Sequence, residues 1–281
     1  MDWEKVDHLI DLALSEDLPS GDLTTEAIVG AAVPAEAVLL AKQAGILAGV
    51  DIAARVFARL EPKIIFKKKM EDGHEFQDGQ ILAELAGPAA SILTAERTAL
   101  NFLQRLSGIA TLTKSFVDEI KGTRARILDT RKTTPGWRQL EKYAVKMGGG
   151  HNHRLSLSDM ILIKDNHIRI AGGLEAALRK AKEYLQATGR SDLKIEVEAA
   201  SLDEVREALR IGTADWIMLD NMSLNEIKAA VELVAGRVLL EVSGKVNLRT
   251  VKALALTGVD FISVGALTHS FKSADISLEF L

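Results

Sequence analysis

The chain has 281 residues, a formal net charge of -4, and a composition that is 47% hydrophobic and 26% charged, as is typical of a soluble globular protein. It contains no cysteine, which excludes disulfides, thiolate catalysis and cysteine-based zinc sites, and no apolar run reaches the roughly 18 residues of a membrane span. The mildly acidic balance argues against broad nucleic-acid binding. We therefore expect neither a nucleic-acid nor a membrane partner, and the charged start and absent cysteine favour the cytoplasm.

The first part of the sequence predicts mixed helix and strand. An apolar stripe from Val6 to Leu14 predicts a helix, and Leu23-Thr24-Thr25 after it is expected to be a loop. A long helix is predicted from Pro88 to Lys121, with a pause at Ser107-Gly108. Between them the pattern predicts a strand, a helix and a second short strand at residues 35–41, 51–60 and 64–66.

From about residue 125 short apolar strands alternate with helices, which is typical of a parallel α/β domain. The predicted strands are 125–129, 160–163, 193–197, 216–219, 238–242 and 261–264. The predicted helices are 136–147, 174–187, 202–211, 224–234 and 248–256. The last strand ends, at Glu198, Asp220, Ser243 and Gly265, are 22, 23 and 22 residues apart, and this regular spacing favours a β/α barrel over an open sheet.

Polar residues or glycine follow each predicted strand, and in a β/α barrel such strand ends meet at one functional face. Arg131, Lys132 and Lys164 are cations at the first two strand ends, whereas Glu198 and Asp220 are acids at the next two. The alternative is that these residues merely cap buried strands. Together with Ser243-Gly244 and Gly265, the pattern indicates a phosphorylated sugar bound opposite an acidic partner.

A locally cationic segment supports this interpretation. Residues 129–164 contain seven Lys or Arg residues, against three acids: Arg131, Lys132, Arg138, Lys142, Lys146, Arg154 and Lys164 against Asp129, Glu141 and Asp159. Clustered cations in an acidic protein suit a small polyanion. An ordinary solvated surface is the simpler alternative.

Two other chemistries remain open from the residues alone. His151 and His153 form an H-x-H pair that could bind a metal in a barrel hydrolase, although the pair follows three glycines on a loop. Lys164 at a strand end could instead form a Schiff base, as in aldolase-type barrels. A barrel that senses phosphorylated metabolites without turnover is the non-enzymatic alternative.

Several motifs resemble the quinolinate phosphoribosyltransferase family, also called carboxylating nicotinate-nucleotide pyrophosphorylase. They include Arg131-Lys132-Thr133-Thr134-Pro135-Gly136, Asn152-His153-Arg154, Lys164-Asp165-Asn166-His167, Glu196-Val197-Glu198, Leu219-Asp220-Asn221, Ser243-Gly244 and Gly265-Ala266-Leu267-Thr268-His269. The resemblance covers nearly the whole chain. A branch of the fold associated with molybdenum transport is a less similar alternative, because it lacks the K-D-N-H block.

The resemblance implies that quinolinate and phosphoribosyl pyrophosphate become nicotinate mononucleotide, pyrophosphate and CO₂, with Mg²⁺, in NAD biosynthesis. It implies an α/β fold: an incomplete β/α barrel of the type II phosphoribosyltransferases over residues 111–269, and an N-terminal α/β sandwich domain over residues 1–110 completed by residues 270–281. It also implies a homodimer whose active sites are shared through Arg105, with a hexamer left open.

By the same resemblance, Lys132, Lys164, Glu198 and Asp220 are catalytic, and Glu198 and Asp220 are candidate ligands of Mg²⁺. The quinolinate carboxylates are bound by Arg131, His153 and Arg154, and the 5′-phosphate by Ser243, Gly244 and Gly265. The other implied substrate-binding residues are Arg105, Thr133, Lys245, Ala266, Leu267 and His269. Lys245 and Ser156 are departures, since glycine is usual at both positions in the family.

Overall fold

A computed structural model describes residues 1–29 and 33–281. The chain divides into two compact units, each built from separated segments. The first comprises Met1–Lys114, Thr133–Gly149 and Leu267–Leu281, and the second comprises Ser115–Lys132 and Gly150–Ala266. The domain limits expected from the sequence remain a prediction. Within the described part of the chain, no helix is both long and apolar enough to cross a membrane.

The first unit is built around an antiparallel sheet with the strand order β12-β1-β5-β3. Its strands are β1 (Pro34–Ala41), β3 (Ile65–Lys68), β5 (Ile81–Pro88) and β12 (Ile276–Phe280), and a small second sheet pairs β2 (Gly45–Ile46) with β4 (Glu75–Phe76). Its helices are α1 (Trp3–Asp17), α2 (Leu23–Ile28), α3 (Val50–Leu60), most of α4 (Ala89–Glu119) and α5 (Arg138–Met147).

The loop predicted at Leu23-Thr24-Thr25 is wrong, because these residues begin helix α2. The Asp22 side chain caps this helix by accepting from the Thr25 backbone N–H at 3.1 Å and from the Thr25 hydroxyl at 2.6 Å. A short helix depends on such a cap more than on an apolar stripe, which is why the periodicity did not indicate it.

The predicted pause at Ser107-Gly108 is also wrong, because α4 continues through both residues. Gly108 serves a close approach instead: a Cβ atom there would collide with the carbonyl oxygen of Lys272. The segment after Lys272 is held on α4, since the Ala274 N–H donates to the Gln104 carbonyl at 2.9 Å. The glycine therefore makes room for the segment that leads into β12.

The second unit is a six-stranded parallel sheet with the order β6-β11-β10-β9-β8-β7. Its strands are β6 (Arg126–Leu128), β7 (Ile161–Ile163), β8 (Ile195–Ala199), β9 (Trp216–Asp220), β10 (Leu239–Ser243) and β11 (Phe261–Ser263). Helices follow the strands: α6 (Asp165–Ala171), α7 (Leu174–Ala187), α8 (Leu202–Ile211), α9 (Leu224–Val234), α10 (Val251–Ala255) and α11 (Ala266–His269), the last belonging to the first unit except for Ala266.

The sheet is an incomplete barrel: the last strand, β11, pairs with the first, β6, but no ladder joins β6 to β7 in the described chain. Among the described residues, the first strand β6 pairs with β11, whereas β7 pairs with β8 alone. Consecutive parallel neighbours joined by helices direct the carboxyl ends of the strands to one face. The predicted fold class is confirmed, and each of the six predicted strands lies within two residues of an observed one.

Helix α6 was not predicted. It begins at Asp165, two residues after the carboxyl end of β7. Lys164 is its N-cap residue, and the Lys164 backbone N–H donates to Nδ1 of His167 at 2.9 Å. The K-D-N-H motif therefore builds a tight strand-to-helix turn that fixes where the Lys164 side chain begins.

Candidate active site

One cavity of about 910 Å³ opens at the carboxyl ends of the strands of the second unit. Because side chains alternate across a strand, every second residue faces it. The facing residues are Leu162 and Lys164 around β7, Glu198 and Ala200 around β8, Met218 and Asp220 on β9, Glu241 and Ser243 on β10, and Ser263 on β11. The intervening residues, such as Val197 and Leu219, are fully buried on the other face of the sheet.

Cations line one side of this cavity. Thr130, Arg131 and Lys132 follow β6, and Arg154 follows the loop that carries His153. Burial and the neighbouring Arg131 guanidinium lower the pKa of Arg154. The Nε atom of Arg131 is buried and has no hydrogen-bond partner among the described residues. A buried guanidinium donor of this kind is suited to a ligand carboxylate or phosphate.

Two acids face the cavity from neighbouring strands. Glu198 on β8 accepts a hydrogen bond from Nζ of Lys164 at 2.7 Å, and its side chain is 15% exposed. Asp220 at the end of β9 accepts from Nδ2 of Asn221 at 2.8 Å. Carboxylate oxygens are the ligands that Mg²⁺ prefers, and they can also bind sugar hydroxyls. This pair is therefore able to hold a metal-bound sugar phosphate.

The turn after β10, Ser243-Gly244-Lys245, lines the cavity. Gly244 has φ of +103°, and a Cβ there would collide with Asn221, so this position requires glycine. Lys245, which also lines the cavity, has φ of +51°, a left-handed conformation that is strained for residues other than glycine. Glycine would adopt the same backbone conformation without strain.

The floor of the cavity contains a buried polar cluster that the sequence interpretation did not assign. Nε2 of His153 is 2.9 Å from Glu196 and 3.4 Å from Glu241, and both carboxylates are fully buried. The Ser263 hydroxyl donates to Glu241 at 2.5 Å. The sequence did contain an indication of this cluster. Glu196 and Glu241 are acids within mostly apolar strands, and each lies two residues before a residue that faces the cavity, Glu198 and Ser243.

The protonation of this cluster follows from its hydrogen bonds. Burial raises the pKa of Glu196 to about 7. For His153, burial acts to lower the pKa, but the hydrogen bond to Glu196 and the nearby Glu241 carboxylate outweigh it and raise the pKa, because both carboxylates favour a proton on Nε2, which faces them. Nδ1 of the ring already accepts from the Arg154 backbone N–H at 2.7 Å, which is incompatible with a second ring proton. We therefore assign the ring proton to Nε2, where it faces Glu196.

The H-x-H metal alternative finds no support in this geometry. The described residues place His153 with Glu196 and Glu241, whose potential ligand atoms all lie within 4.8 Å of one another, and not with His151. His151 instead makes backbone contacts: its N–H donates to the Ile127 carbonyl at 2.8 Å beside β6. The cluster could hold a cation, but it is already joined by hydrogen bonds.

Other predicted site residues lie outside the lining of this cavity. Gly265 and Ala266 follow β11 in the second unit. Thr133, Leu267, His269 and Arg105 belong to the first unit. There Leu267 is fully buried, Thr133 accepts from Nε of Arg138 at 2.9 Å, and Nδ1 of His269 lies 2.7 Å from the Ser270 hydroxyl.

Arg105 is held firmly within the first unit. Its Nη2 donates to the Thr134 hydroxyl and to the fully buried Glu141 carboxylate, each at 2.5 Å. The guanidinium also lies over the rings of Trp137 and Phe271, at 5.1 and 4.8 Å from their centroids. Such contacts fix the long side chain in one orientation.

An incomplete α/β barrel with cations and acids gathered at the carboxyl ends of its strands has the architecture of a barrel enzyme, whose active site lies at that face. Residues 22–107 match the family model for the quinolinate phosphoribosyl transferase N-terminal domain, and residues 109–279 match that for the C-terminal domain. The chain therefore belongs to the quinolinate phosphoribosyltransferase family, and the resemblance stated from its motifs is confirmed.

Known proteins agree with this assignment. The chain is 44% identical to a probable nicotinate-nucleotide pyrophosphorylase [carboxylating] from Bacillus subtilis, over 94% of this chain and 89% of that protein. It is 43% identical to a mitochondrial quinolinate phosphoribosyltransferase [decarboxylating] from Nicotiana glauca, over 97% of this chain and 81% of that protein. A crystal structure of NadC from Streptococcus pyogenes is similar at a TM-score of 0.94 and 42% identity, covering 100% of this chain and 99% of that one.

Proposed function

We propose that this enzyme transfers a phosphoribosyl group from phosphoribosyl pyrophosphate to quinolinate and releases CO₂, giving nicotinate mononucleotide and pyrophosphate for NAD biosynthesis. The observation that carries the proposal is one cavity with Arg131, Lys132, Arg154 and Lys164 facing the same space as two acids. Quinolinate carries two adjacent carboxylates, which need several cations to leave water together. The buried Arg131 Nε, which has no hydrogen-bond partner among residues 1–29 and 33–281, is suited to one of them.

The transfer step depends on the acids and the two lysines. As pyrophosphate departs, C1 of the ribose develops oxocarbenium character, which the Glu198 and Asp220 carboxylates stabilise electrostatically. Lys132 and Lys164 provide point charges for the leaving diphosphate. Because Lys164 is bonded to Glu198 at 2.7 Å, the cation and the acid are positioned together. The cavity brings two anions into contact that would repel each other in solution.

Decarboxylation then follows from the chemistry of the product ring. Attack by the quinolinate nitrogen on C1 forms the N-glycosidic bond and makes the ring a pyridinium. The pyridinium accepts the electron pair of the C2–carboxylate bond, so CO₂ can leave and the resulting carbanion is then protonated. No organic cofactor is required, and the protein needs only to orient the ring and exclude water from C1.

Mg²⁺ is the metal we assign to this reaction, with Glu198 and Asp220 as the residues that would hold it. Both side chains offer carboxylate oxygens to the cavity, and this donor set fits a hard cation. When bound, Mg²⁺ would neutralise negative charge on the departing diphosphate. Ser243 and the backbone N–H groups of Gly244 and Lys245 would bind the 5′-phosphate. Gly265, which follows the neighbouring strand β11, would join them.

A homodimer is the assembly we infer, with Arg105 of one subunit supplying a cation to the active site of its partner. The support is the membership of the family. Within its own subunit the Arg105 side chain is fixed by Trp137, Phe271 and Glu141. A hexamer of such dimers, and the cytoplasm as the compartment, belong to the same proposal; the absence of cysteine is suited to a reducing environment.

The test is an assay of purified protein with phosphoribosyl pyrophosphate, Mg²⁺ and quinolinate labelled at the 2-carboxylate. We expect equal amounts of labelled CO₂ and nicotinate mononucleotide. Nicotinate is the control substrate, because it lacks the 2-carboxylate and should give little or no product. Absence of nicotinate mononucleotide, or equal use of nicotinate, would refute the proposed function.

A further inference from the structure

Two buried acids beneath the cavity have no part in the mechanism described above. Glu196 and Glu241 are fully buried on β8 and β10. Oε1 of Glu196 lacks a hydrogen-bond partner among the described residues, and Oε2 of Glu241 has only a 3.4 Å contact with Nε2 of His153. Burying a carboxylate with an unpaired oxygen is unfavourable, and apolar residues of similar volume often stabilise a core better. Stability alone therefore does not account for these acids.

Their charge is also the wrong one for the ligand. Glu241 lines the cavity to which we assign a dicarboxylate, and Glu196 is bonded to His153, another lining residue. Like charges repel across a region of low dielectric. As isolated charges, Glu196 and Glu241 would weaken quinolinate binding. A role that favours binding must therefore act through a neighbouring group.

The hydrogen bonds identify that group as His153. Glu196 Oε2 lies 2.9 Å from Nε2 of the ring, and Glu241 lies 3.4 Å from the same atom. Glu241 is itself held by the Ser263 hydroxyl at 2.5 Å. The ring cannot turn without losing these partners, and its 6% exposed side chain has no space to do so.

The other ring nitrogen transmits this orientation to Arg154. Nδ1 of His153 accepts from the Arg154 backbone N–H at 2.7 Å, and this is possible only while the ring proton is on Nε2. On the opposite side, the His153 backbone N–H donates to the buried Asp129 at 2.9 Å. The Arg154 guanidinium then reaches the cavity with Nη1 bonded to the Met160 carbonyl at 3.1 Å.

We propose that Glu196 and Glu241 are positioning residues that orient His153 and, through its Nδ1, place Arg154 for the carboxylates of quinolinate. The proposal rests on the proposed function, since it takes quinolinate as the ligand of Arg154. Three side chains from neighbouring strands then support the substrate-binding residues: Glu196 on β8, Glu241 on β10, and Ser263 on β11, which bonds to Glu241. In metal sites, a carboxylate commonly accepts the N–H of a ligating histidine and so fixes the tautomer and orientation of the ring.

The experiment compares Glu196→Gln, Glu241→Gln and the double variant with wild type, measuring kcat and both KM values. We expect the double variant to raise the KM for quinolinate at least ~10-fold, while the KM for phosphoribosyl pyrophosphate stays within ~2-fold. Ser263→Ala should give a smaller change in the same direction. Glu183→Gln, which removes an exposed acid paired with Arg179 on α7, is the matched control and should leave all values unchanged.

The sign of the change decides between roles. If the two acids act only as repulsive charges, the double variant will bind quinolinate more tightly, and an unchanged or lower KM overturns the inference. Thermal unfolding provides the second readout: a variant as stable as wild type but with a raised quinolinate KM excludes a merely structural role. Wild-type protein without activity would refute the proposed function, whereas active wild type with unaffected variants refutes only this inference.

Discussion

Arg131 is a binding-site residue whose location could be predicted from its position in the sequence. Its place after the first barrel strand predicted a cation at the functional face, and the structure puts it there with a buried Nε and no protein partner for that atom in the described chain. Truncating one member of a buried, hydrogen-bonded charge pair weakens binding strongly.

We expect Arg131→Ala to weaken quinolinate binding by at least ~30-fold, measured by calorimetry. The fold should be unaffected, because the side chain faces the cavity. Arg206→Ala is the control, since Arg206 is an exposed arginine on α8 paired with Asp203, and its affinity should equal that of wild type. Unchanged affinity of Arg131→Ala would remove this residue from the site.

Lys245 is a residue at which function and stability oppose each other. Its φ of +51° is strained, whereas glycine would adopt the same turn freely. We expect Lys245→Gly to raise the free energy of unfolding by roughly 1 kcal/mol and also to raise the KM for phosphoribosyl pyrophosphate several-fold.

Ala235→Gly is the matched control for Lys245→Gly, because Ala235 ends α9 with φ of +48°. It should gain similar stability without any change in KM. Chemical denaturation and steady-state kinetics measure both quantities. If the KM for phosphoribosyl pyrophosphate does not change in Lys245→Gly, the lysine has no part in phosphate binding.

Helices and strands were predictable from the sequence where a strand–helix unit repeats at regular spacing. They were less predictable where a single contact, such as a helix cap, determines the structure. The strands and long helices of the second unit follow the 22- and 23-residue spacing and were placed within a few residues. Helices α2 and α6 depend on the caps at Asp22 and Lys164, which a periodicity does not contain. The continuity of α4 depends on Gly108 meeting a segment over 160 residues away in sequence.

Gly108 gives a prediction at this scale. Alanine is the better helix former by about 1 kcal/mol, yet we expect Gly108→Ala to lower the free energy of unfolding by about 2 kcal/mol or more. The added Cβ would displace the Lys272 backbone and disturb the approach to β12. Gly122→Ala is the control, because its Cβ would meet nothing within 4 Å and only its left-handed φ of +80° is strained. A stabilised Gly108→Ala protein would contradict the close approach.

At the scale of the whole molecule, the sequence predicted a site of cations facing acids but not what supports it. The strand ends at Arg131, Lys164, Glu198 and Asp220 do face one cavity. Glu196 and Glu241 were missed because their strands look apolar and their partner, His153, comes from a distant loop. Their roles depend on side-chain contacts that no local pattern contains.

Shared active sites give the prediction for the assembly. Lys132→Ala should lower kcat at least ~10²-fold, and Arg105→Ala should be similarly inactive. Mixing equal amounts of the two variants under conditions of subunit exchange should restore up to about a quarter of wild-type activity, because about half of the dimers are then mixed and half of the sites in a mixed dimer are intact. Lack of recovery, after mass spectrometry confirms mixed dimers, would contradict the sharing of sites through Arg105.

The pairing of β12 with β1 has a consequence for biosynthesis. Residues 276–280 are synthesised after every residue of the second unit, yet they form hydrogen bonds along β1, which is synthesised before that unit. The barrel can therefore fold while the antiparallel sheet of the first unit still has an unpaired edge at β1. Until residues 276–280 pair with it, that edge is open to mispairing with another chain.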